Sequence, residues 1–185
     1  KDAALIHIAT HAIADDSLSM LSHLAFAQND SNNLLYAYEI YNQTLDADLV
    51  VLSACETGIG NYNRGEGMMN LSRAFHQAGV ASVVLSLWNI DDESTSNIIV
   101  DYYAYLKLGY SKSKAMQMSK LKYISNADPI SSHPYYWSGV VGYGNDTPLN
   151  FDNYKDNNIF LILLLSLSIA FIFFFGFKFI NRMNK

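Results

Sequence analysis

The sequence predicts one α/β domain built on a mainly parallel sheet, followed by a single helix that crosses a membrane. Short apolar runs rich in Val, Ile and Leu, such as residues 49–54, have the unbroken hydrophobicity of strands that are covered on both faces. These runs alternate with segments that read as helices, an order typical of βα units and parallel sheets. An uncharged apolar stretch then occupies residues 159–177, near the end of the 185-residue chain.

The predicted elements follow one another in a regular order. The predicted strands, each a short apolar run, are residues 5–10, 23–27, 49–54, 80–88 and 139–142. The predicted helices are residues 36–43, 66–77, 92–108 and 111–125. Gly79 and Gly109 are expected to end the second and third helices, because glycine is the common residue just past a helix C-terminus. Asp91 or Asp92 is expected near the start of the third helix, where the helix dipole favours an acidic group.

Composition limits the classes of function. Half of the residues are hydrophobic, enough for a full core in one domain. The net charge of −5 provides no basic face, which argues against a nucleic-acid partner. No His or Cys pair has the spacing of a metal site, and no glycine-rich loop has the signature of phosphate binding, so neither a metal nor a cofactor is expected. The single cysteine rules out a disulfide within the chain.

Two apolar runs end in side chains that can act together as a nucleophile and a base. Residues 5–10 are followed by His11, and residues 49–54 are followed by Cys55. In open parallel sheets, reactive groups lie just past the carboxyl ends of the strands. If the two strands are neighbours, a thiol and an imidazole meet at one edge of the sheet, which is the arrangement of a Cys–His nucleophilic pair.

The motifs around these two residues resemble those of the CHAT domain, a caspase-like cysteine peptidase family related to separase. The resemblance covers residues 5–145 and rests on several motifs that occur in the family's order. Besides the segments with His11 and Cys55, they are Arg64-Gly65-Glu66-Gly67, Leu71-Ser72-Arg73-Ala74-Phe75, Ser86-Leu87-Trp88-Asn89-Ile90-Asp91-Asp92 and His133-Pro134-Tyr135-Tyr136-Trp137. The resemblance implies a caspase-like three-layer fold over residues 1–146. The strands that precede the His-bearing strand in that fold are expected to be missing from this chain.

The resemblance also implies a chemistry. Cys55 is the expected nucleophile and His11 the expected acid and base of an endopeptidase that cleaves a partner protein. The backbone N–H groups of Cys55 and Ala12 are the expected oxyanion hole, although related peptidases usually carry glycine where Ala12 stands. Asp91 and Asp92 are candidates for a pocket that selects a basic residue before the scissile bond. Capping of the following helix is an equally good interpretation of these two carboxylates.

Other interpretations remain open at this stage. Taken alone, Cys55 is more often a buried structural thiol, and His11 a hydrogen-bonded loop residue. Cys55 could pair with His133 instead of His11, and His7 is expected to be a satisfied core residue on its strand. The same fold could also serve as a non-catalytic signalling or scaffold module, so the sequence leaves two classes of function.

The C-terminal region predicts a membrane anchor. Residues 159–177, from Ile159 to Phe177, are expected to form a helix whose length would reach the ~30 Å thickness of a bilayer hydrocarbon core. A polar linker at residues 147–158 precedes it, and a short basic tail at residues 178–185 follows. The positive-inside rule therefore places the tail in the cytoplasm and the globular domain on the other side. Because tetratricopeptide repeats often precede CHAT domains, such repeats are expected upstream in the full-length protein.

Overall fold

The computed structural model describes residues 3–13, 15, 18–26, 33–53, 55–56 and 66–151, all within the compact unit Lys1–Phe151. Its strands form two four-stranded sheets. In chain order the strands are β1 (Ala3–Ile8), β2 (His11–Ile13), β3 (His23–Ala25), β4 (Leu34–Tyr36), β5 (Ala47–Leu52), β6 (Cys55–Glu56), β7 (Ser82–Ser86) and β8 (Val140–Gly144). The α-helices are α1 (Ala37–Tyr41), α2 (Glu66–Gln77), α3 (Asp92–Lys107) and α4 (Lys112–Asn126). Short 3₁₀ turns occupy Ser19–Leu21 and Pro134–Tyr136.

The main sheet has the strand order β1-β5-β7-β8. β1 pairs parallel with β5, and β5 pairs parallel with β7, so these three strands all run in one direction. β8 is the exception, because it pairs antiparallel with β7 at one edge. The predicted α/β fold with a mainly parallel sheet is confirmed, and so is the prediction that the strand before His11 is a parallel neighbour of the strand before Cys55.

Helices cover both faces of the main sheet, which makes the fold three-layered. Successive side chains of β5 point to opposite faces, as they do in any strand. Val50 and Leu52 belong to a core shared with α1 and α2, whereas Leu49 and Val51 belong to a second core shared with α3 and α4. All four side chains are buried, which explains why the run has no polar alternation.

A second sheet, with the order β4-β3-β2-β6, departs from the sequence prediction. The runs 5–10 and 49–54 were each predicted as one strand, but β1 ends at Ile8 and β5 ends at Leu52. At each of these points the backbone leaves the main sheet, and three residues later it enters the second sheet, as β2 after β1 and as β6 after β5. The Thr10 hydroxyl lies in the first of these crossings and donates a hydrogen bond to the backbone carbonyl of Ala25, next to β2. The site is therefore built on the second sheet, just past the carboxyl edge of the first.

Gly79 ends α2, as the sequence predicts. Its φ of +105° is one that residues with a side chain rarely adopt. A Cβ atom at this position would lie 2.8 Å from the carbonyl oxygen of Leu45, so glycine is required for space as well as for conformation. The segment around Leu45 is also bonded to the end of α2, because the N–H of Leu45 donates to the carbonyl of Ala78 at 2.6 Å.

The predicted membrane helix at residues 159–177 lies outside the described residues, as do the tail that follows it and most of the preceding linker. Over the part of the chain that the structure does describe, no helix combines the length and the apolar character needed to cross a bilayer.

Candidate active site

His11 and Cys55 occupy matching positions at the start of two paired strands. β2 begins at His11 and β6 begins at Cys55, and the two residues are direct partners in the parallel pairing of these strands. Because adjacent strands lie about 4.8 Å apart, this register brings the two backbones side by side. β2 follows β1 along the chain and β6 follows β5. β1 and β5 are parallel neighbours in the main sheet. The fold thus brings the two residues of the predicted dyad together although they are 44 positions apart in the sequence.

An open pocket of about 900 Å³ lies at this edge of the main sheet, and the exposed side chain of His11 forms part of its wall. Among the described residues of the wall, most of the other polar side chains carry hydroxyl or imidazole groups, and one, at the start of α3, is a carboxylate. The wall residues with polar side chains are His7, Thr10, His11, Asn33, Ser53, Asp92, Thr95, Ser96 and Tyr103. A peptide segment could therefore reach His11 through a pocket with both hydrogen-bonding and acidic groups.

The structure separates the two acidic candidates. Asp91 is the N-cap of α3, and its carboxylate accepts hydrogen bonds from the N–H of Glu93 at 3.0 Å and from the N–H of Ser94 at 3.2 Å. These bonds satisfy two of the N–H groups that a helix start leaves without partners. Asp92 instead lies in the pocket wall together with His11. The capping interpretation thus describes Asp91, whereas the assignment of Asp92 to a specificity pocket stays a prediction.

Ala12, the candidate oxyanion-hole residue after His11, is completely buried in β2. β2 is an inner strand of its sheet, with β3 on one side and β6 on the other. Backbone N–H groups in inner strands are normally used within the sheet. The assignment of the Ala12 and Cys55 N–H groups to an oxyanion hole stays a prediction.

His7 was expected to be a satisfied core residue: its ring nitrogens are indeed hydrogen-bonded, but its placement in the core was wrong. The residue is exposed, and its ring forms part of the pocket wall. Its Nε2 lies 2.6 Å from the hydroxyl oxygen of Ser53, and its Nδ1 lies 2.7 Å from the hydroxyl oxygen of Tyr103. His7 lies two residues closer to the carboxyl end of β1 than Leu5, and at this level His7 and residues of α3 line the pocket together.

The sequence interpretation therefore missed a group of three polar residues: His7, Ser53 and Tyr103. For two of them a signal was present, because Ser53 precedes Cys55 by two positions and His7 precedes His11 by four. Nothing local marks Tyr103, which lies 96 positions from its partner and in the middle of a helix.

The rival histidine has another role in the structure. His133 caps the 3₁₀ turn Pro134–Tyr136, where its Nδ1 accepts a hydrogen bond from the N–H of Tyr135 at 3.2 Å. It does not belong to the pocket wall that contains His11. Among the described side chains, no group of three or more His, Cys, Asp or Glu residues is placed to hold a metal ion.

Comparisons with known proteins identify the family to which the chain belongs. The family model of the CHAT domain matches residues 1–145. The chain is also similar to tetratricopeptide repeat protein 28 of Mus musculus and of Homo sapiens, in each case 30% identical over 117 residues. That match covers 63% of this chain and 5% of either relative, so the chain spans a small part of these much longer proteins. A family match over most of the chain, on a three-layer α/β fold, is decisive for its classification. The chain belongs to the CHAT domain family.

Proposed function

We propose that the domain is a cysteine endopeptidase in which Cys55 and His11 act as a catalytic dyad on a partner protein. The observation that carries this proposal is the register of β2 and β6, which places the two residues opposite each other. The open pocket beside His11 supports it further, because an endopeptidase must admit an extended segment of another chain.

The chemistry requires both residues at once. A free thiol has a pKa near 8.5, so only a few per cent is thiolate at neutral pH, and a base nearby is needed to activate it. The Cys55 thiolate attacks the scissile carbonyl carbon, and the protonated imidazole of His11 gives its proton to the departing amine as the C–N bond breaks. Water then attacks the thioester carbonyl, His11 takes the proton from that water, and the C–S bond breaks to release the Cys55 thiolate beside the protonated imidazole.

A cleavage assay on the full-length protein tests this function. The substrate is a denatured protein mixture, and mass spectrometry identifies the new N-termini. Cuts made by the unmodified protein that disappear in Cys55→Ala support the proposal, whereas identical cuts in both proteins would contradict it.

Asp92 is proposed to select a basic side chain before the scissile bond. A carboxylate in the pocket wall gives Lys or Arg a charged hydrogen-bond partner, an interaction worth about 1.5–3 kcal/mol. We expect Asp92→Asn to lower kcat/KM for Lys and Arg substrates about 10- to 100-fold, with a much smaller change for uncharged ones. The matched control is Asp91→Asn. It removes one negative charge, as Asp92→Asn does, and it keeps the helix cap because asparagine caps a helix as well as aspartate does. Equal effects of both variants on substrate preference would rule out Asp92 as the selective residue.

The second candidate function is a non-catalytic signalling or scaffold module. The burial of Ala12 in an inner strand favours it, because the family's second oxyanion donor is then already within a sheet. Under this alternative the full-length protein binds its partner equally well with Cys55 or with alanine at that position and cleaves nothing.

We further propose that the domain works as part of a longer, membrane-anchored protein. The apolar residues 159–177 are the proposed anchor, and the basic residues after them favour a cytoplasmic tail with the domain on the other side. The similarity to relatives named for tetratricopeptide repeats supports repeats of that kind upstream, where they would control access of the partner protein to the pocket.

A further inference from the structure

The imidazole of His7 links three separate elements of the fold. His7 lies in β1, Ser53 directly follows β5, and Tyr103 lies in α3. The hydrogen bonds of 2.6 Å to Ser53 and 2.7 Å to Tyr103 engage both ring nitrogens. The Tyr103 ring also packs edge-on against the imidazole, with ring centroids 5.7 Å apart. Both the plane and the position of the His7 ring are therefore fixed.

The charge states suit a neutral chain of hydrogen bonds. Partial burial lowers the pKa of His7 below its ordinary value, so the ring is neutral near pH 7, with one N–H donor and one acceptor nitrogen. Burial raises the pKa of Tyr103, so its phenol keeps its proton over the same range. One partner of His7 donates to the acceptor nitrogen and the other accepts from the N–H, so both ring nitrogens of His7 are satisfied.

Ser53 lies where the chain passes from the first sheet to the second. Its N–H donates to the carbonyl of Ile8 at 3.1 Å, which ties the end of β5 to the end of β1. Two residues later the chain begins β6 at Cys55 and pairs with β2 at His11. Holding the Ser53 side chain on His7 therefore fixes the point from which the chain approaches Cys55.

We propose that His7 is a positioning residue, which through Ser53 and Tyr103 holds the start of β6 in register with His11. This inference rests on the proposed peptidase function for its effect on rate, but the effect on register can be observed without any activity. Reacting groups displaced by about 1 Å can lose a hundred-fold in rate, so a loosened register lowers kcat more than it changes KM.

The test uses variants of the full-length protein that remove one hydrogen bond each. Ser53→Ala and Tyr103→Phe delete a single hydroxyl, whereas Ser53→Thr keeps one and serves as the conservative rescue. Tyr105→Phe is the matched control, since Tyr105 lies on the same helix and outside the pocket wall. His7→Asn removes the imidazole itself.

Two readouts are measured on each variant. Amide hydrogen exchange followed by mass spectrometry reports protection of peptides that cover β2 and β6, with β7 peptides as the internal reference. Steady-state kinetics on a cleaved peptide separate kcat from KM. We expect Ser53→Ala, Tyr103→Phe and His7→Asn to speed exchange at β2 and β6 but not at β7. We expect kcat to fall about 10- to 100-fold with KM within about twofold, whereas Ser53→Thr and Tyr105→Phe stay close to the unmodified protein.

The outcomes separate this inference from the proposed function. A protein that cleaves nothing refutes the function, and faster exchange of β2 and β6 in the three variants still supports the register role of His7. An active protein whose Ser53→Ala and Tyr103→Phe variants keep both exchange and kcat unchanged overturns the inference alone. Labelling of Ser53 by an alkyl fluorophosphonate, lost in His7→Asn, also overturns it, because Ser53 would then be a nucleophile rather than part of a clamp.

Discussion

Replacing Cys55 or His11 with alanine in the full-length protein is expected to reduce cleavage of its protein substrate at least about 1000-fold, while the fold is retained. Nucleophile and base act on the same proton, so the loss of either leaves the other without a function. The Cys55→Ala/His11→Ala double variant should therefore be no slower than the more affected single variant. The rates are measured on one substrate, with circular dichroism to establish that each variant is folded.

The matched control for the histidine is His133→Gln. His133 is the other histidine considered as a partner of Cys55, but its ring accepts a hydrogen bond from the N–H of Tyr135 in a 3₁₀ turn. We expect this variant to cleave at close to the normal rate. A thousand-fold loss in His133→Gln, with His11→Ala remaining active, would show that His133 rather than His11 is the catalytic base.

Deleting residues 158–185 is expected to turn a protein that needs detergent into one that stays in solution without it. Residues 159–177 contain no charged side chain along a length sufficient for a bilayer core, so removing them removes the proposed anchor. The measurement is the share of protein in the membrane pellet after carbonate washing and ultracentrifugation.

A second deletion, of residues 178–185 alone, is the control for this experiment. It removes the basic tail but keeps the apolar stretch, so the protein is expected to remain in the pellet. If the longer deletion also remains there, the anchor lies elsewhere in the full-length protein.

The parts of the fold that sequence could predict are those with a strong local pattern. The run at 49–54 is apolar because β5 is covered on both faces, and this cover is what makes an inner parallel strand recognisable. Gly79 was predictable as a helix end because a positive φ favours glycine so strongly. The parallel pairing of β1 with β5 was predictable because both apolar runs are followed by a residue of the candidate dyad.

The parts that escaped prediction depend on contacts between distant positions. β2 and β6 have three and two residues, too few to display a period, and the sheet that contains them exists only because the chain leaves β1 and β5 at the same level. His7 alternates correctly for a core position, but the sequence does not show that a pocket opens at this level of β1. Its partners lie 46 and 96 positions away, which no local pattern encodes.

Asp91 and Asp92 illustrate a smaller ambiguity of the same kind. Either residue fits the start of a helix, and a shift of one position decides which one caps it and which one faces the pocket. The cap geometry of Asp91, with two backbone N–H donors, resolves this choice. Helix boundaries predicted from sequence alone are uncertain by more than this single position.

The central claim is that His11 activates Cys55, and the alkylation rate of this thiol tests it most directly. Cys55 is the only cysteine in the 185-residue sequence, and mass spectrometry of its peptide follows its reaction with iodoacetamide in the full-length protein. At pH 7 we expect Cys55 to react faster than a free model thiol, and His11→Ala to remove the difference, because only the thiolate is nucleophilic. A Cys55 that reacts no faster than the model thiol, or equally fast with and without His11, would contradict the dyad and favour the scaffold function.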